Sequence, residues 1–278
     1  MSRRLRKIIF LFFPFLKKYG SYVSVVIINK ITRVFYRNKK HQFLFILSPP
    51  FCGSTLLNEI ISSSKIVSVN NKFGTREGQK LPTVRNIMFD GINRWDESLT
   101  FDWDYIKKEW IKYWDLSKPI LLEKSPPNIK YAKILEEKFE NSHFIIFYRN
   151  PYAHCESLMR RSKMGVKDAA EFSIKCLKYQ KRNIIGLKQK TIISYEELTN
   201  ETNKIKNRID NIYPKTNLDV EIHNEFNAHN FFKKSLAIQD LNNLKINKLT
   251  VEEIVEINAV FQKEAGLISF FGYNIIKT

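Results

Sequence analysis

Residues 43–64 read FLFILSPPFCGSTLLNEIISSS. The first five form an apolar run with the length of one buried parallel strand. A turn with two prolines and Gly53 follows, after which apolar residues recur at helical spacing. The free N–H groups that begin such a helix, with the Ser54 and Thr55 hydroxyls, predict a phosphate site. The alternative is a buried strand followed by an ordinary helix start.

The turn lacks the lysine of the common ATP- and GTP-binding loop. That motif, G-x-x-x-x-G-K-[ST], needs a lysine directly after its second glycine. Here Gly53 is followed by Ser54, and no glycine lies five residues before Gly53. The sequence therefore argues against a nucleotide kinase, which stays open as an alternative function.

Three further apolar runs have the length of buried strands: residues 119–122, 144–148 and 191–193. Helical patterns lie between them. Strands that alternate with helices predict an α/β fold with a mostly parallel sheet. Ligands bind at the carboxyl ends of such strands. Glu123, Lys124, Arg149 and Tyr195 follow the three runs and are expected to meet the Gly53 turn there.

Arg149 and Ser157 predict a second phosphate site. Arg149 ends the third run, and Ser157 comes eight residues later, inside the helix that follows. A guanidinium fork and a hydroxyl so spaced can hold one phosphate from two sides.

Positive charge is concentrated at the start of the chain. The 278 residues carry a net charge of +18, and eleven basic residues precede Glu59, the first acidic one. The apolar runs 8–16 and 22–28 are too short to span a bilayer. Residues 1–41 are therefore expected to form an arm on a domain at 42–278. The arm either packs on the domain as a helix or lies in an anionic membrane surface; its apolar content favours a membrane over nucleic acid.

The cysteines predict the compartment. Cys52, Cys155 and Cys176 are few, widely separated and odd in number, so a disulfide framework or zinc site is not expected. We expect a cytoplasmic protein, peripheral at the inner face of a membrane if the arm binds lipid.

Four segments resemble the sulfotransferase family. Residues 51–55 resemble its 5′-phosphosulfate loop, and 148–157, YRNPYAHCES, resemble its 3′-phosphate motif, R-[DN]-P with a serine eight residues after the arginine. Residues 122–126 resemble the E-K-[ST]-P segment of its carbohydrate members, and residues 194–198 resemble a Y-E-[DE]-L segment common after the fourth strand. The sequence has no glycine-rich R-K-G motif of the cytosolic small-molecule branch, so it is more similar to the carbohydrate, tyrosylprotein and bacterial branches. One departure is Phe51, where the family has lysine or arginine.

The resemblance implies a three-layer αβα fold related to the P-loop nucleotide hydrolases. It also implies transfer of a sulfuryl group from 3′-phosphoadenosine-5′-phosphosulfate, without a metal, to a hydroxyl or amine of a carbohydrate, lipid, tyrosine or small molecule. The residues it assigns to donor binding are Cys52, Gly53, Ser54, Thr55, Arg149, Ser157 and Tyr195.

The resemblance also suggests that Glu77, in the loop at 65–100, is the base for the acceptor, and that Lys124 is the cation for the leaving group. With Phe51 in the loop, Lys124 or Arg76 replaces the usual cation, or activity is low. Glu123 and then the region 223–229 are the alternative sources of a base. The rival to catalysis is an inactive relative that binds membrane or nucleic acid.

All four tryptophans lie within twenty residues, and three of them follow a helical period. These residues are Trp95, Trp103, Trp110 and Trp114. They predict a core stripe, and the alternative is an aromatic wall that contacts the acceptor.

Overall fold

The structure is a computed structural model that describes residues 20–31, 33–36, 39–227 and 235–278. Its main sheet has five strands: β1 Gln42–Leu47, β2 Val67–Val69, β3 Ile120–Glu123, β4 Ser142–Tyr148 and β5 Lys190–Ser194. Their order across the sheet is β2-β3-β1-β4-β5, and every neighbouring pair is parallel. The predicted α/β fold with a parallel sheet is confirmed.

Helices connect the strands and complete the chain. Residues 20–31 and 33–36 are helical before the sheet. The later helices are α1 Ser54–Ser62, α2 Arg85–Met88, α3 Trp103–Ile111, α4 Asn128–Lys138, α5 Pro151–Ser162, α6 Val166–Gly186, α7 Tyr195–Asn200, α8 Thr202–Asp210, α9 Asn242–Ile246, α10 Val251–Phe261 and α11 Ala265–Phe270. Short 3₁₀ turns lie at Gly78–Lys80 and Gln262–Glu264, and β6 Glu225–Asn227 pairs with β7 Ser235–Ala237 as an antiparallel hairpin.

Both faces of the sheet are buried, which makes the architecture three-layered. Along β1, Phe43 and Phe45 pack on one face with side chains from α3, α4 and α6. Leu44 and Ile46 pack on the opposite face with side chains from α1, α7 and α8. The uninterrupted apolar run of β1 follows from this, because alternate residues of a parallel strand face two cores.

The tryptophans belong to the core. Trp103, Trp110 and Trp114 are buried in the cluster under α3 and α4, and Trp95 packs against that cluster. The prediction of a core stripe is confirmed. None of the four tryptophans lines the cavity described below.

Two regions contain elements that were not predicted. The region 65–100 contains β2, a 3₁₀ turn and α2, although its pattern indicated only a loop. The polar region after residue 200 contains the β6–β7 hairpin. Strands of three residues have too few positions to show a hydrophobic period.

Within the described residues, no helix combines the length and the apolar content that crossing a membrane requires. The apolar run at 8–16 lies outside the described residues.

Candidate active site

A cavity of about 400 Å³ opens at the carboxyl ends of the parallel strands. This volume lies in the range of small-molecule sites. Eight of the nine predicted site residues line it: Gly53, Ser54, Thr55, Glu77, Lys124, Arg149, Ser157 and Tyr195.

The turn after β1 forms one wall and requires a glycine. Gly53 has φ +93°, and a Cβ on it would lie 2.7 Å from Cδ2 of Tyr195. Helix α1 then begins at Ser54, as predicted. The first N–H groups of a helix have no partner within the helix. This wall therefore offers backbone donors and the Ser54 and Thr55 hydroxyls to an anion.

The Cys52 side chain does not reach the cavity. The residue is 1% exposed, and burial raises the pKa of its thiol to about 12. Any contact of Cys52 with a ligand is therefore left to its backbone.

Arg149 directly follows β4, and its charged side chain is buried. Its Nε donates to Oδ1 of Asn242 at 2.6 Å, and its Nη1 donates to the Phe51 carbonyl at 3.3 Å. The guanidinium stacks on Tyr195, with Cζ 3.9 Å from the ring centroid. Its Nη2 has no hydrogen-bond partner among the described residues.

Ser157 follows on α5. Its hydroxyl donates to the Ala153 carbonyl at 2.9 Å, which leaves the oxygen's lone pairs available as acceptors. The hydroxyl would have to rotate away from Ala153 to donate to a ligand.

Glu77 also lines the cavity, among three cations. Its carboxylate oxygens are 3.4 Å from Lys80 Nζ, 3.8 Å from an Arg94 nitrogen and 4.0 Å from Lys124 Nζ. Burial alone would raise the pKa of the Glu77 carboxyl, but Lys124, Lys80 and hydrogen bonds outweigh it and hold the pKa below its usual value. Glu77 is therefore a carboxylate at neutral pH.

Glu123 holds the backbone beside Glu77. Its Oε1 accepts from the Gly78 N–H at 3.0 Å and from Ser125 Oγ at 2.6 Å, and its Oε2 accepts from Asn128. A Cβ on Gly78 would lie 2.7 Å from the same Oε1. Burial raises the pKa of Glu123 to about 7. Because both oxygens are occupied, Glu123 positions the loop and is a poor candidate for the base.

Lys124 is the cation that reaches the cavity from β3. It is 2% exposed, and its Nζ donates to the Thr75 carbonyl at 2.5 Å. Burial lowers the pKa of Lys124, and the nearby carboxylates only partly reverse that.

Arg76, the other predicted substitute for the loop cation, points elsewhere. It pairs with Glu59 at 2.5 Å and lines a separate cavity of about 490 Å³, together with His223. The region 223–229 was the second alternative source of a base, and its His229 lies outside the described residues. Of the two proposed substitutes, only Lys124 lines the candidate site.

Four cations in the cavity wall were not predicted: Lys80, Arg94, Arg161 and Lys245. Two of them had a sequence signal. Lys80 follows Glu77 by three residues, and Arg161 follows Ser157 by four, so it shares its helix face. Arg94 and Lys245 reach the cavity only through tertiary folding.

The chain belongs to the sulfotransferase family, because residues 44–211 match the model of that family. It is therefore a sulfotransferase-family enzyme with a P-loop-like α/β fold. This finding weighs against the kinase alternative.

The chain is similar to solved structures, one of which supports the fold. The chain resembles a sulfotransferase from Alicyclobacillus acidocaldarius with a TM-score of 0.50 and 12% identity, over 84% of this chain and 97% of that one. For sulfotransferase STF1 from Mycobacterium tuberculosis H37Rv the TM-score is 0.47 and the identity 11%, over 86% and 81% of the two chains. No curated protein sequence matches the chain significantly.

The Gly53 turn generates a stability prediction. Gly53→Ala combines a left-handed backbone, which costs a residue with a Cβ about 1–2 kcal/mol, with the contact on Tyr195. Gly91→Ala is the matched control, since Gly91 has φ +68° and a Cβ on it would meet nothing within 4 Å. In urea unfolding, Gly53→Ala should lose at least about 1 kcal/mol more than Gly91→Ala, the low end of overpacking costs. Equal losses would show that the turn does not depend on close contact with Tyr195.

Proposed function

We propose that the protein transfers a sulfuryl group from 3′-phosphoadenosine-5′-phosphosulfate to a hydroxyl or amine of an acceptor. The observation that carries the proposal is the buried Arg149 guanidinium, whose Nη2 has no partner in the described part of the chain. A buried charged donor without a partner is costly. A phosphate oxygen would supply the missing charge-assisted hydrogen bond.

The donor has phosphate groups at two positions, and the cavity has two matching anion-binding walls. On this assignment Gly53, Ser54 and Thr55 hold the 5′-phosphosulfate. Arg149 and Ser157 hold the 3′-phosphate, while the Tyr195 ring keeps the guanidinium in place. The proximity of the two walls within one cavity supports the assignment.

Glu77 and Lys124 carry the proposed chemistry. The donor supplies an activated sulfuryl group on a bisphosphate leaving group. Glu77, ionised at neutral pH, accepts the proton that the acceptor hydroxyl loses as its bond to sulfur forms. The Lys124 ammonium stabilises the negative charge that develops on the leaving group. Phe51 in the loop is then no obstacle, because Lys124 brings a cation to the same cavity from β3.

The donor assignment predicts the effect of removing each group. Arg149→Ala should weaken adenosine 3′,5′-bisphosphate by at least about thirtyfold, since truncating one side of a buried charge pair costs about 2–5 kcal/mol. Ser157→Ala should weaken it less. Calorimetry measures both. Arg160→Ala is the control and should leave bisphosphate affinity unchanged. Arg160 lies on the same helix as Ser157 but pairs with Glu253 at the surface. Unchanged affinity in Arg149→Ala, with the variant folded by circular dichroism, would remove Arg149 from the site.

The catalytic assignment predicts a separate pattern. Glu77→Gln should lower turnover by roughly 10²–10⁴-fold and leave bisphosphate affinity nearly intact. Lys124→Ala should lower both. Because nearby cations and hydrogen bonds hold the pKa of Glu77 below its usual value, its base form persists to lower pH than that of an ordinary glutamate. The acid limb of the wild-type rate profile is therefore expected at a lower pH than an ordinary glutamate base would give.

Turnover is measured with labelled donor and the best acceptor from a panel of carbohydrate, lipid, tyrosine-peptide and phenol compounds. Glu171→Gln is the control and should leave turnover unchanged, because Glu171 is an exposed carboxylate on α6. Turnover of Glu77→Gln close to wild type would exclude Glu77 as the base.

The helical residues 20–31 and 33–36 support an anionic membrane surface as a second partner. One side packs on the domain: Tyr22 Oη donates to Asn71, and Asn29 Nδ2 donates to the Lys112 carbonyl, both at 3.2 Å. The other side presents large apolar side chains that are 57–78% exposed: Ile27, Ile28, Ile31, Val34 and Phe35.

Both interpretations of the arm therefore find support on different sides of these helical residues. The same part of the chain has exposed basic residues at Lys30, Lys39 and Lys40. Exposed apolar side chains together with basic ones are typical of helices that lie in an anionic interface. On this proposal the protein is cytoplasmic and peripheral, and its three described cysteines, which are free and buried, suit a reducing compartment.

Vesicle flotation tests the membrane proposal. With phosphatidylglycerol–phosphatidylcholine vesicles, Ile31→Ser/Phe35→Ser should reduce the bound protein by at least about tenfold, because burying each side chain is worth about 1.5–3 kcal/mol. High salt should also release the protein. Ile185→Ser is the control, since Ile185 is equally exposed on α6. If wild type and double variant float equally, this helix serves only to pack on the domain.

A further inference from the structure

The part of the cavity around Glu77, where the proposed function places the acceptor, is here called the acceptor side. It has more positive charge than its own residues neutralise. Lys80, Arg94 and Lys124 all lie within 4.0 Å of one carboxylate, that of Glu77. Their side chains are 25%, 29% and 2% exposed, so water screens them only in part. Three cations around this carboxylate leave a formal excess of two positive charges, which Glu123, whose charge also acts on Lys124, reduces to one when it is ionised.

The pKa values agree with an incomplete balance of charge. Burial lowers the pKa of Arg94, and attraction to Glu77 only partly offsets this. Burial lowers the pKa of Lys124 in the same way. For both cations the attraction of the nearby carboxylates is smaller than the effect of burial.

The proposed donor accounts for only part of this charge. Its phosphates are assigned to the start of α1 and to Arg149 and Ser157, and Lys124 is assigned to the leaving group. Lys80 and Arg94 belong to the segment 78–94, which contributes no residue to that donor assignment. Two cations therefore remain for the other substrate.

Phe89 holds these two cations on one wall. Lys80 Nζ and Arg94 Cζ each lie 4.7 Å from the centroid of the Phe89 ring, which lines the same cavity. Lys80 also donates to Thr75 Oγ1 at 2.7 Å. Attraction to an aromatic face orients a cation without neutralising it. Both groups therefore keep hydrogen-bond donors for a ligand.

Arg85 shows the contrast on the same ring. Its Cζ lies 5.4 Å from the Phe89 centroid, but its Nε is bound to both oxygens of Asp90, at 2.9 and 2.8 Å. Arg85 does not line the cavity. Its charge already has a counterion, so it provides a matched control.

We propose that the acceptor is a hydroxyl-bearing acid, with a carboxylate, phosphate or sulfate group near the reacting hydroxyl, and that Lys80 and Arg94 bind this anionic group. The inference rests on the proposed function, because it takes this side of the cavity as the acceptor site. Sulfuryl transfer then forms a bond between sulfur and the hydroxyl oxygen and breaks the bond to the bisphosphate, while the hydroxyl proton goes to Glu77. The anionic group takes no part in the bond changes.

Calorimetry with matched acidic and neutral probes tests the proposal. The protein is first saturated with adenosine 3′,5′-bisphosphate, so that the donor site is filled. It is then titrated with 4-hydroxybenzoate or 4-hydroxybenzamide, and with methyl β-D-glucuronide or methyl β-D-glucoside. The acid of at least one pair should bind at least about tenfold more tightly than its neutral partner, as a charge-assisted contact requires.

Variants assign the preference to residues. Lys80→Gln/Arg94→Gln should abolish the preference for the acid, whereas Arg85→Gln should keep it. No preference in either pair, or a preference that survives the double substitution, would overturn the proposal.

A failure of the proposed function gives a different result. If the bisphosphate does not bind to wild type, the donor assignment fails. The two probe pairs are then titrated into Arg149→Ala without nucleotide, which removes the anion site at Arg149. A preference for the acid that depends on Lys80 and Arg94 would still support an anion site on this wall, and its absence would exclude one.

Discussion

The buried guanidinium of Arg149 is the interaction on which the candidate site depends. It joins the end of β4 to the Phe51 carbonyl in the loop after β1, to Asn242 on α9 and to the Tyr195 ring on α7. Asn242 in turn donates to Oε1 of Glu196 at 2.5 Å. Four chain segments that are distant in sequence therefore meet around one charge. Tyr195 also limits Gly53 to a residue without a side chain, so the same ring shapes both anion-binding walls.

The side of the cavity proposed for the acceptor depends on a second buried group. Glu123, at the end of β3, accepts from the Gly78 N–H and thereby positions the residue next to Glu77. Glu77 itself remains ionised because cations and hydrogen-bond donors outweigh its burial. A low pKa makes a weak base, so Glu77 is suited to receive a proton only once the hydroxyl has become acidic by bonding to sulfur. The two buried carboxylates thus have separate tasks, one structural and one proposed as chemical.

The main sheet and most of the site could be predicted because their signals are local. β1, β3, β4 and β5 are short apolar runs that end in polar residues, and parallel strands bring those ends to one edge. β2 has three residues, too few to show a period, and the hairpin residues Phe226 and Leu236 reach the cavity from a polar region. Arg94 and Lys245 could not be predicted, since the cavity acquires them by the path of the chain in space and not by spacing.

The proposed chemistry requires that this cavity bind a nucleotide by phosphates at both the 3′ and the 5′ positions. Titration of the wild-type protein with adenosine 3′,5′-bisphosphate, adenosine 5′-monophosphate and ATP with Mg²⁺ in a calorimeter tests this requirement most directly. Because Arg149 has a donor without a partner in the described part of the chain, the bisphosphate should bind at least about tenfold more tightly than the monophosphate, as a buried charge-assisted hydrogen bond implies. Equal affinity for these two nucleotides, or tighter binding of ATP with Mg²⁺, would contradict it.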